Sequence, residues 1–358
     1  MPSLKEIKGR INSISSTLAI TSAMKMVASA KLQKAQMAIQ NMLPYERRLY
    51  SMLLDLMGAM NISAAASEDG SVRGSGSAER GFDQSGDRLS LSNRHDLAGM
   101  DGAYSLMAQR EVRKVAIVAF ASNSSLCGAF NSNVIREATA VINEYRASGL
   151  GDADITVYSV GRKMAEAMKK LGFPSPADFT KMSDSPSYEA ASALAQEQLD
   201  GFVSGRFDKV ELVYNHYKST SSQPTIRQTY LPLSLADATA DLQAGKIADS
   251  ASESDTNRGA EPVGAPVVRQ GSPTTEDLIV EPSKEELIAT LLPKVVRLRV
   301  FTTLLDSTAA EQAARTVAMQ LATDNGNDLL QELTLEYNKG RQQKITSEIL
   351  DLVGGSMQ

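Results

Sequence analysis

The C-terminal part of the chain is a long stretch without proline. No proline occurs between Lys294 and Gln358. At a rise of about 1.5 Å per residue, a helix over this stretch would reach on the order of 90 Å, several times the width of a compact domain. One small domain cannot bury the apolar side chains of a helix that long. We therefore expect either a partner helix or a larger assembly around this segment.

The N-terminal segment has the pattern expected of a partner helix. Its apolar positions recur in alternating steps of three and four, with a mean period of about 3.5 residues, which is typical of a left-handed coiled coil. These positions form the predicted seam: Leu4, Ile7, Ile11, Ile14, Leu18, Thr21, Lys25, Ala28, Leu32, Ala35, Ile39 and Met42. A buried lysine is costly, so we expect the part around Thr21 and Lys25 to face something other than the partner helix. The pattern is also compatible with an ordinary two-helix hairpin on a domain surface.

Composition favours helices and does not favour a membrane span or disulfides. The chain has 358 residues, 42% of them hydrophobic, with 5% aromatic residues and no tryptophan, which suits close-packed helices better than a large sandwich core. One cysteine, Cys127, excludes an internal disulfide and is consistent with a reducing compartment. The N-terminus lacks an apolar signal core, and no run approaches eighteen consecutive apolar residues. We therefore expect a cytoplasmic protein.

Positive charge is concentrated at the N-terminus. Residues 1–48 carry eight Lys or Arg and two Glu, a net charge of +6, although the whole chain has −5. Basic helices of this kind match acidic partner surfaces or nucleic acid. Nucleic acid is disfavoured, because the basic residues are interleaved with the seam and no aromatic stacking residues accompany them.

The middle of the chain alternates between strand and helix patterns. A run of apolar residues follows Lys114, as in a strand that is buried on both faces, and a helix capped by Asn131 is predicted after it. The other predicted strands start at Asp154, Lys209 and Thr225, and further helices are predicted at 162–171 and 187–203. This order predicts a parallel or mixed, three-layer, Rossmann-like α/β domain.

Composition also divides the chain into five segments. Pro44 predicts a kink or break in the first helix, and Ser283 with Glu286 has capping-box spacing at the start of the last helix. Two segments rich in Gly, Ser and charged residues are interpreted as flexible inserts, because their composition cannot build a core. The predicted segments are an N-terminal shaft helix (1–57), an insert (58–107), the α/β domain (108–239), an insert (240–277) and a C-terminal shaft helix (278–358).

Motifs of catalysis do not occur in the sequence. We find no phosphate-binding P-loop, no G-x-G-x-x-G and no G-x-S-x-G, and the two histidines, His95 and His216, lack the spacing of a zinc site. Cys127 is interpreted as a buried residue of a strand–helix turn, His216 as a structural residue and His95 as a solvated loop residue. We therefore predict no catalytic residue, cofactor, metal or small-molecule ligand.

Three segments resemble one known family. The strings TLAITSAMKMVASAKLQKAQ, SLCGAFN and EQAARTVAMQLATDNGNDLLQELTLEYNKGRQQKITSEILDLVGG closely resemble the gamma subunit of bacterial F-type ATP synthase. The resemblance covers roughly residues 1–57, 110–235 and 278–355. The order of terminal helix, α/β domain and long terminal helix is also that of the family.

The resemblance implies a central rotor stalk without an active site. In this family the terminal helices form an antiparallel coiled coil inside a ring of three alpha and three beta subunits. The α/β domain lies on the epsilon subunit and the membrane-embedded c-ring. Rotation of the asymmetric shaft couples proton flow to ATP synthesis at the beta subunits. The location implied is peripheral, on the cytoplasmic face of the bacterial inner membrane.

The resemblance also implies positions that couple the shaft to the ring: Met24, Lys25, Arg315, Arg341, Gln342, Thr346 and Glu348. For the exposed polar positions, ordinary pairing along the helix surface is the alternative. Cys127 and Gly128 match a structural turn. We further expect a slim helix face, which would help the shaft to turn, at Ala309, Ala310, Ala313, Ala314 and Ala318.

The chain departs from the family at several places. Asn123, Ser124 and Ser125 stand where an aspartate, a basic residue and a glycine are usual before LCG, and Lys25 stands where an acidic residue can occur. Charge-dependent contacts at these places are therefore not expected. Two functions from other classes fit parts of the pattern: a free-standing coiled-coil adaptor, and an enzyme with a degenerate nucleotide-binding domain.

Overall fold

The computed structural model describes residues 3–68, 105–107, 109–233, 281 and 283–355. Two very long helices enclose a small α/β domain in chain order. The helices are α1 (Leu4–Glu68), α2 (Phe130–Ala147), α3 (Arg162–Lys170), α4 (Thr180–Asp184), α5 (Tyr188–Val203) and α6 (Lys284–Gly355). The strands are β1 (Val115–Phe120), β2 (Ile155–Val160), β3 (Lys209–Asn215) and β4 (Thr225–Leu231), and short 3-10 helices lie at Ser105–Met107 and Asp152–Asp154.

The two terminal helices pack against each other in antiparallel orientation. The hydroxyl of Thr323 lies 3.1 Å from that of Thr21, and the Arg299 guanidinium lies 3.1 Å from the Glu46 carboxylate. All twelve positions of the predicted seam are buried or half-buried. The predicted coiled coil of the two chain ends is confirmed; together, α1 and α6 are called the shaft below.

The sheet is mixed and has helices on both faces. Its strand order is β2-β1-β3-β4, in which β1 is parallel to β2 and β3, and β4 is antiparallel to β3. The β1 residues Val115, Ile117 and Ala119 face α2 and α3, whereas Ala116, Val118 and Phe120 face α5 and the shaft. The predicted three-layer α/β domain is confirmed, and the shaft supplies part of one helical layer.

The helix α1 is longer than the predicted N-terminal segment. It is continuous through Pro44, so the predicted break does not occur there, and it extends to Glu68, beyond the predicted segment boundary at 57. A proline costs one backbone hydrogen bond, but Leu49, Leu53 and Leu56 continue the buried face after it, so packing outweighs that cost. Of the predicted insert 58–107, only 58–68 and Ser105–Met107 are among the described residues. The whole of the predicted insert 240–277 lies outside them.

Helix starts were predicted with mixed success. The amide of Glu286 donates to the Ser283 hydroxyl at 3.1 Å, which confirms the predicted cap of α6. The prediction that Asn131 caps α2 is wrong, because the helix begins at Phe130 and Ala129 precedes it without a side-chain cap. The Asn131 carboxamide instead accepts a hydrogen bond from the Ser122 amide at 3.0 Å. The short helix α4 was not predicted.

Candidate functional site

Glycines of α6 face leucines of α1 in the shaft. A Cβ atom on Gly326 would lie 2.6 Å from Leu18 Cδ2, and one on Gly340 would lie 3.1 Å from Leu4 Cδ2. The first distance is shorter than real Cβ contacts and the second is unusually tight, so the leucine side chains lie against the backbone of α6. These two contacts bring the helices close together in the part of the shaft that is farthest from the domain.

The polar interruption of the seam is accommodated inside the shaft. Thr21 is half-buried and its hydroxyl pairs with Thr323, which in turn donates to the Met319 carbonyl at 2.8 Å. The expectation that this part faces away from the partner helix is wrong for Thr21, because a threonine pair satisfies both hydroxyls within the interface. Lys25 is half-buried one turn further along α1.

The alanine face of α6 packs against the chain itself. Ala309 and Ala313 lie in one cluster with Leu32 and Ala35 of α1, and Ala310 lies in another with Cys127 and Phe130 of the domain. The expected slim face is therefore covered by the chain itself at these three alanines, which are 0% exposed, and cannot there turn against another subunit. Small side chains here let α1 and the domain approach the α6 backbone from two sides.

The shaft fills the crevice where doubly wound folds bind ligands. Such folds bind ligands at the carboxyl ends of parallel strands where the strand order reverses, here the ends of β1 and β3. Asn215 at the end of β3 donates to the Phe130 carbonyl at 3.0 Å, and Phe130 packs on Ala310 of α6. The helix α6 therefore packs against the residues that follow β1 and β3, at the edge of the sheet where such folds bind ligands.

The turn from Ser122 to Gly128 joins the domain to the shaft. Its backbone is left-handed at Leu126, with φ 68°, and at Gly128, with φ 58°, where a Cβ would lie 3.9 Å from Ala318. Cys127 is 2% exposed, and the Asn131 side chain donates to its sulfur at 3.1 Å. The interpretation of Cys127 as a buried turn residue is confirmed.

The residues that depart from the family pattern hold this turn in place. The Asn123 carboxamide accepts from the Arg162 amide at 2.8 Å and donates to the Thr180 carbonyl at 2.7 Å. The Ser124 hydroxyl accepts a hydrogen bond from Arg315 at 2.8 Å. Uncharged side chains thus fix the turn to α3, α4 and α6. Sequence reasoning missed these contacts because their partners lie far away along the chain.

Arg315 is buried at this junction. Its guanidinium pairs with Glu311, one turn earlier in α6, at 2.7 Å, and both side chains are at most 10% exposed. Burial raises the pKa of the Glu311 carboxyl above its usual range, against the opposing attraction of Arg315. Arg315 therefore makes its polar contacts within the chain, to Glu311 and Ser124.

A second contact joins the domain to the shaft after β3. The Nδ1 atom of His216 lies 2.6 Å from the Asp306 carboxylate of α6, and the Tyr217 amide donates to the same carboxylate at 2.9 Å. His216, which the sequence analysis interprets as a structural residue, thus has a polar partner in α6. His95 lies outside the described residues.

The last turns of α6 are exposed. Every side chain from 341 to 350 is exposed, because α1 begins opposite Gly340. Large aliphatic side chains on this end are 48–74% exposed: Ile345, Ile349, Leu350, Leu352 and Val353. Several exposed aliphatic side chains close together on one helix are typical of an interaction surface.

The structure places the seven predicted coupling residues in three regions. Met24 and Lys25 are half-buried on α1, and Arg315 is buried at the junction. Arg341, Gln342, Thr346 and Glu348 are exposed near the end of α6. There Thr346 donates to the Gln342 carbonyl at 2.9 Å and Lys344 lies 3.7 Å from Glu348, so part of the polar surface is paired along the helix.

Two features are absent from the described parts of the chain. None of the described helices is long and apolar enough to cross a membrane. Within the same residues, no group of three or more His, Cys, Asp or Glu side chains is arranged to hold a metal ion.

Comparisons with known proteins give one family. The family model described as ATP synthase matches residues 3–357. The chain is 46% identical to the ATP synthase gamma chain of Phocaeicola vulgatus and 45% identical to that of Bacteroides thetaiotaomicron, in each case over 100% of both chains. Its fold is similar to that of a chain in the cryo-EM structure of the Euglena gracilis mitochondrial ATP synthase, OSCP/F1/c-ring, rotational state 3. That match has a TM-score of 0.52 and 19% identity, and it covers 99% of this chain and 93% of that one.

Proposed function

The chain belongs to the family of ATP synthase gamma chains, and from that premise we propose that it is the rotating central stalk of an F-type, proton-translocating ATP synthase. Its task is to couple rotation of a membrane c-ring to conformational changes at the catalytic beta subunits. On this proposal it has no active site of its own.

The exposed end of α6 is the observation that carries this proposal. Beyond Gly340 the helix has aliphatic side chains on its surface and no α1 residue opposite it. Removing these aliphatic side chains from water against a partner protein would be energetically favourable. We propose that three alpha and three beta subunits surround this end and the adjoining coiled coil. The positive charge of residues 1–48 would favour acidic surfaces of that ring.

The α/β domain supplies the other end of the rotor. The turn at Ser124 and the segment at His216 both bond to α6, so the domain and the shaft are held together at two places. A rotation applied to the domain would therefore be passed to the shaft. We propose that the domain contacts an epsilon subunit and the c-ring, which would place the protein peripherally on the cytoplasmic face of the bacterial inner membrane.

The exposed polar residues near the end of α6 are the proposed coupling contacts. Arg341, Gln342, Thr346 and Glu348 can form hydrogen bonds that are made and broken as the shaft turns, unlike a packed apolar contact. Met24 and Lys25 on α1 are proposed to contact the ring as well. Pairing along the helix, as between Lys344 and Glu348, is compatible with that role because exposed pairs are weak.

Arg315 is proposed to act in a different way. Its side chain is buried and bonded to Glu311 and Ser124 within the chain. We propose that it takes part in coupling as a positioning residue, by holding the turn before α2 against α6. Its loss would loosen the domain on the shaft without removing a contact to the ring.

The alternative of a free-standing adaptor is not favoured. The relatives that match over the full length are gamma chains, and an adaptor would not need the shared C-terminal segment. The first test is to isolate the tagged chain from its own membranes and to measure the mass of the intact complex. One copy with three alpha and three beta chains, and ATPase activity that the purified chain lacks, is expected. A lone chain or a different set of partners would contradict the proposal.

A second test introduces charge at the exposed end of α6. The double variant Ile349→Asp/Leu352→Asp should lower ATP-driven proton pumping in membrane vesicles at least tenfold, because two aspartates would be desolvated in the proposed interface. The matched control is Gln343→Asp/Ser347→Asp, which adds the same charge at exposed polar positions of the same helix. Equal losses in both variants would indicate a general charge effect and would argue against an apolar contact at 349 and 352.

A further inference from the structure

The loop that follows β3 contacts both helices of the shaft. The Gln36 side chain of α1 donates to the Tyr217 hydroxyl at 2.6 Å. Tyr217 also packs against two hydrophobic clusters. One contains Leu32 of α1 and Ala309 of α6, and the other contains Phe130 of the domain and Ala310 of α6. Residues 216 and 217 thus lie where the domain, α1 and α6 meet.

One carboxylate of α6 binds both residues of this loop. Asp306 accepts the Tyr217 amide with Oδ1 at 2.9 Å, and its Oδ2 lies 2.6 Å from Nδ1 of His216. The His216 amide also donates at 2.8 Å to the carbonyl of Pro224, the residue before β4, so the loop is held at the start of that strand as well. The Asp306 side chain is 16% exposed and that of His216 is 43% exposed, which leaves the imidazole in contact with solvent protons.

The charges around His216 favour its protonated form. The hydrogen bond to Asp306 raises the pKa of the imidazole, burial opposes this, and the attraction of Asp306 adds to the increase. Arg299, also on α6, and Lys218, in the loop itself, act in the opposite direction. Since the pKa of His216 is raised by folding, the stabilisation is complete below the unfolded pKa and is lost as the pH rises through the folded value.

We propose that His216 and Asp306 form a proton-sensitive contact that holds the α/β domain on the shaft. When the imidazole is charged, its bond to Asp306 joins two opposite charges, so a coulombic attraction adds to the hydrogen bond. When the imidazole is neutral, Nδ1 can still donate, so the contact weakens without being lost. The contact itself does not depend on the function proposed above. Only its consequence for rotation, a softer link between domain and shaft at higher pH, rests on that proposed function.

The Tyr217 amide reports directly on this contact, because it donates to the same carboxylate. We would measure its hydrogen exchange in the complex purified from membranes, at pH values below and above the titration of His216. Rates would be corrected for the pH dependence of intrinsic exchange. In the unmodified chain we expect about fivefold more frequent opening at the higher pH, which corresponds to about 1 kcal/mol. The Ala121 amide, which donates to the Val160 carbonyl at 2.8 Å, is the internal control and should not change.

Two variants separate a proton-sensitive contact from a merely structural one. His216→Lys keeps a positive charge at both pH values, so opening at Tyr217 should become independent of pH. His216→Gln has no charge at either pH, so opening should be high at both, and the lysine variant should restore protection. If the unmodified chain and His216→Lys show the same pH dependence, the proposal is overturned.

The comparison remains decisive if the glutamine variant does not assemble. The unmodified chain and the lysine variant alone test whether titration of His216 controls the contact. The identity of the complex that carries the chain is read from its subunit composition in the same sample. Failure of the rotor function and failure of the proton-sensitive contact would therefore be seen in different measurements.

Discussion

The two halves of α6 belong to one continuous helix but lie in different surroundings. Between 284 and 319 the helix packs against α1, α5 and the sheet, and Val295, Val296, Val300 and Ala309 are all 0% exposed. Between 320 and 350, Leu333 is the only buried residue, and after Gly340 every side chain in that range is exposed. The first half forms part of the core of this chain, whereas the second half contacts α1 as far as Gly340 and is exposed after it.

The difference in burial between the two halves does not arise from the type of residue. Leu292 is 1% exposed, and Leu335 and Leu352 are 71% and 74% exposed in the same helix. Burial is decided by what lies opposite: the domain and α1 cover the first leucine, and α1 has ended before the last one. Core residues should therefore affect the stability of the isolated chain, whereas exposed leucines should affect its assembly.

The largest expected contrast is between two leucines of α6. Leu292→Ala should lower the free energy of unfolding by about 2–5 kcal/mol, because it leaves a cavity in the core. Leu352→Ala should change it by less than about 0.5 kcal/mol, because its side chain is exposed. Urea unfolding of the purified chain, followed by circular dichroism, measures both. Similar losses for the two variants would mean that the end of α6 is packed in the free chain.

A smaller contrast is expected between two ion pairs. Arg299→Met should cost about 2–3 kcal/mol, because it removes the guanidinium that lies 3.1 Å from the buried Glu46 carboxylate. Lys344→Met should cost less than about 0.5 kcal/mol, because Lys344 and Glu348 are more than 60% exposed. The urea midpoint of each variant, compared with that of the unmodified chain, measures the two losses. A loss at Lys344 as large as that at Arg299 would contradict the contrast.

The smallest contrast compares two glycines of the shaft. Gly326→Ala should destabilise the chain by about 1 kcal/mol net, because its Cβ would approach Leu18 to 2.6 Å and this outweighs the better helix propensity of alanine. Gly9→Ala should stabilise it by about 0.5–1 kcal/mol, because nothing lies within 4 Å of that position. Thermal unfolding of both variants should shift in opposite directions. A stabilising Gly326→Ala would show that the two helices can separate slightly at no cost.

The architecture could be predicted from periodic patterns. Steps of three and four along residues 4–42 predicted the side of α1 that faces α6, and all of those positions are buried or half-buried. Apolar runs separated by helical segments predicted the mixed sheet, because strands and helices differ in period. These signals are local, since each depends on residues a few positions apart.

The junction between domain and shaft could not be predicted in this way. Arg315 and Ser124 are separated by 191 positions, and His216 and Asp306 by 90. Nothing in the neighbouring sequence shows that Arg315 is buried while Arg341 is exposed, since both follow similar helical patterns. The packing of the alanine face could not be predicted for the same reason. Small residues indicate that something approaches the helix closely, but they do not show that α1 and the domain are what approaches it.

The pairing of two long helices, the α/β domain between their ends and the resemblance to one family could all be inferred from the sequence. The folded structure was needed to show which part of α6 is core and which part is exposed, and that α6 packs at the ends of β1 and β3. It was also needed to find the polar partners of Glu211 in β3, which accepts hydrogen bonds from Arg227 at 2.7 Å and from Tyr145 at 2.6 Å. Helix formation and periodicity follow from neighbouring residues, whereas burial and polar partners depend on segments that meet only after the chain has folded.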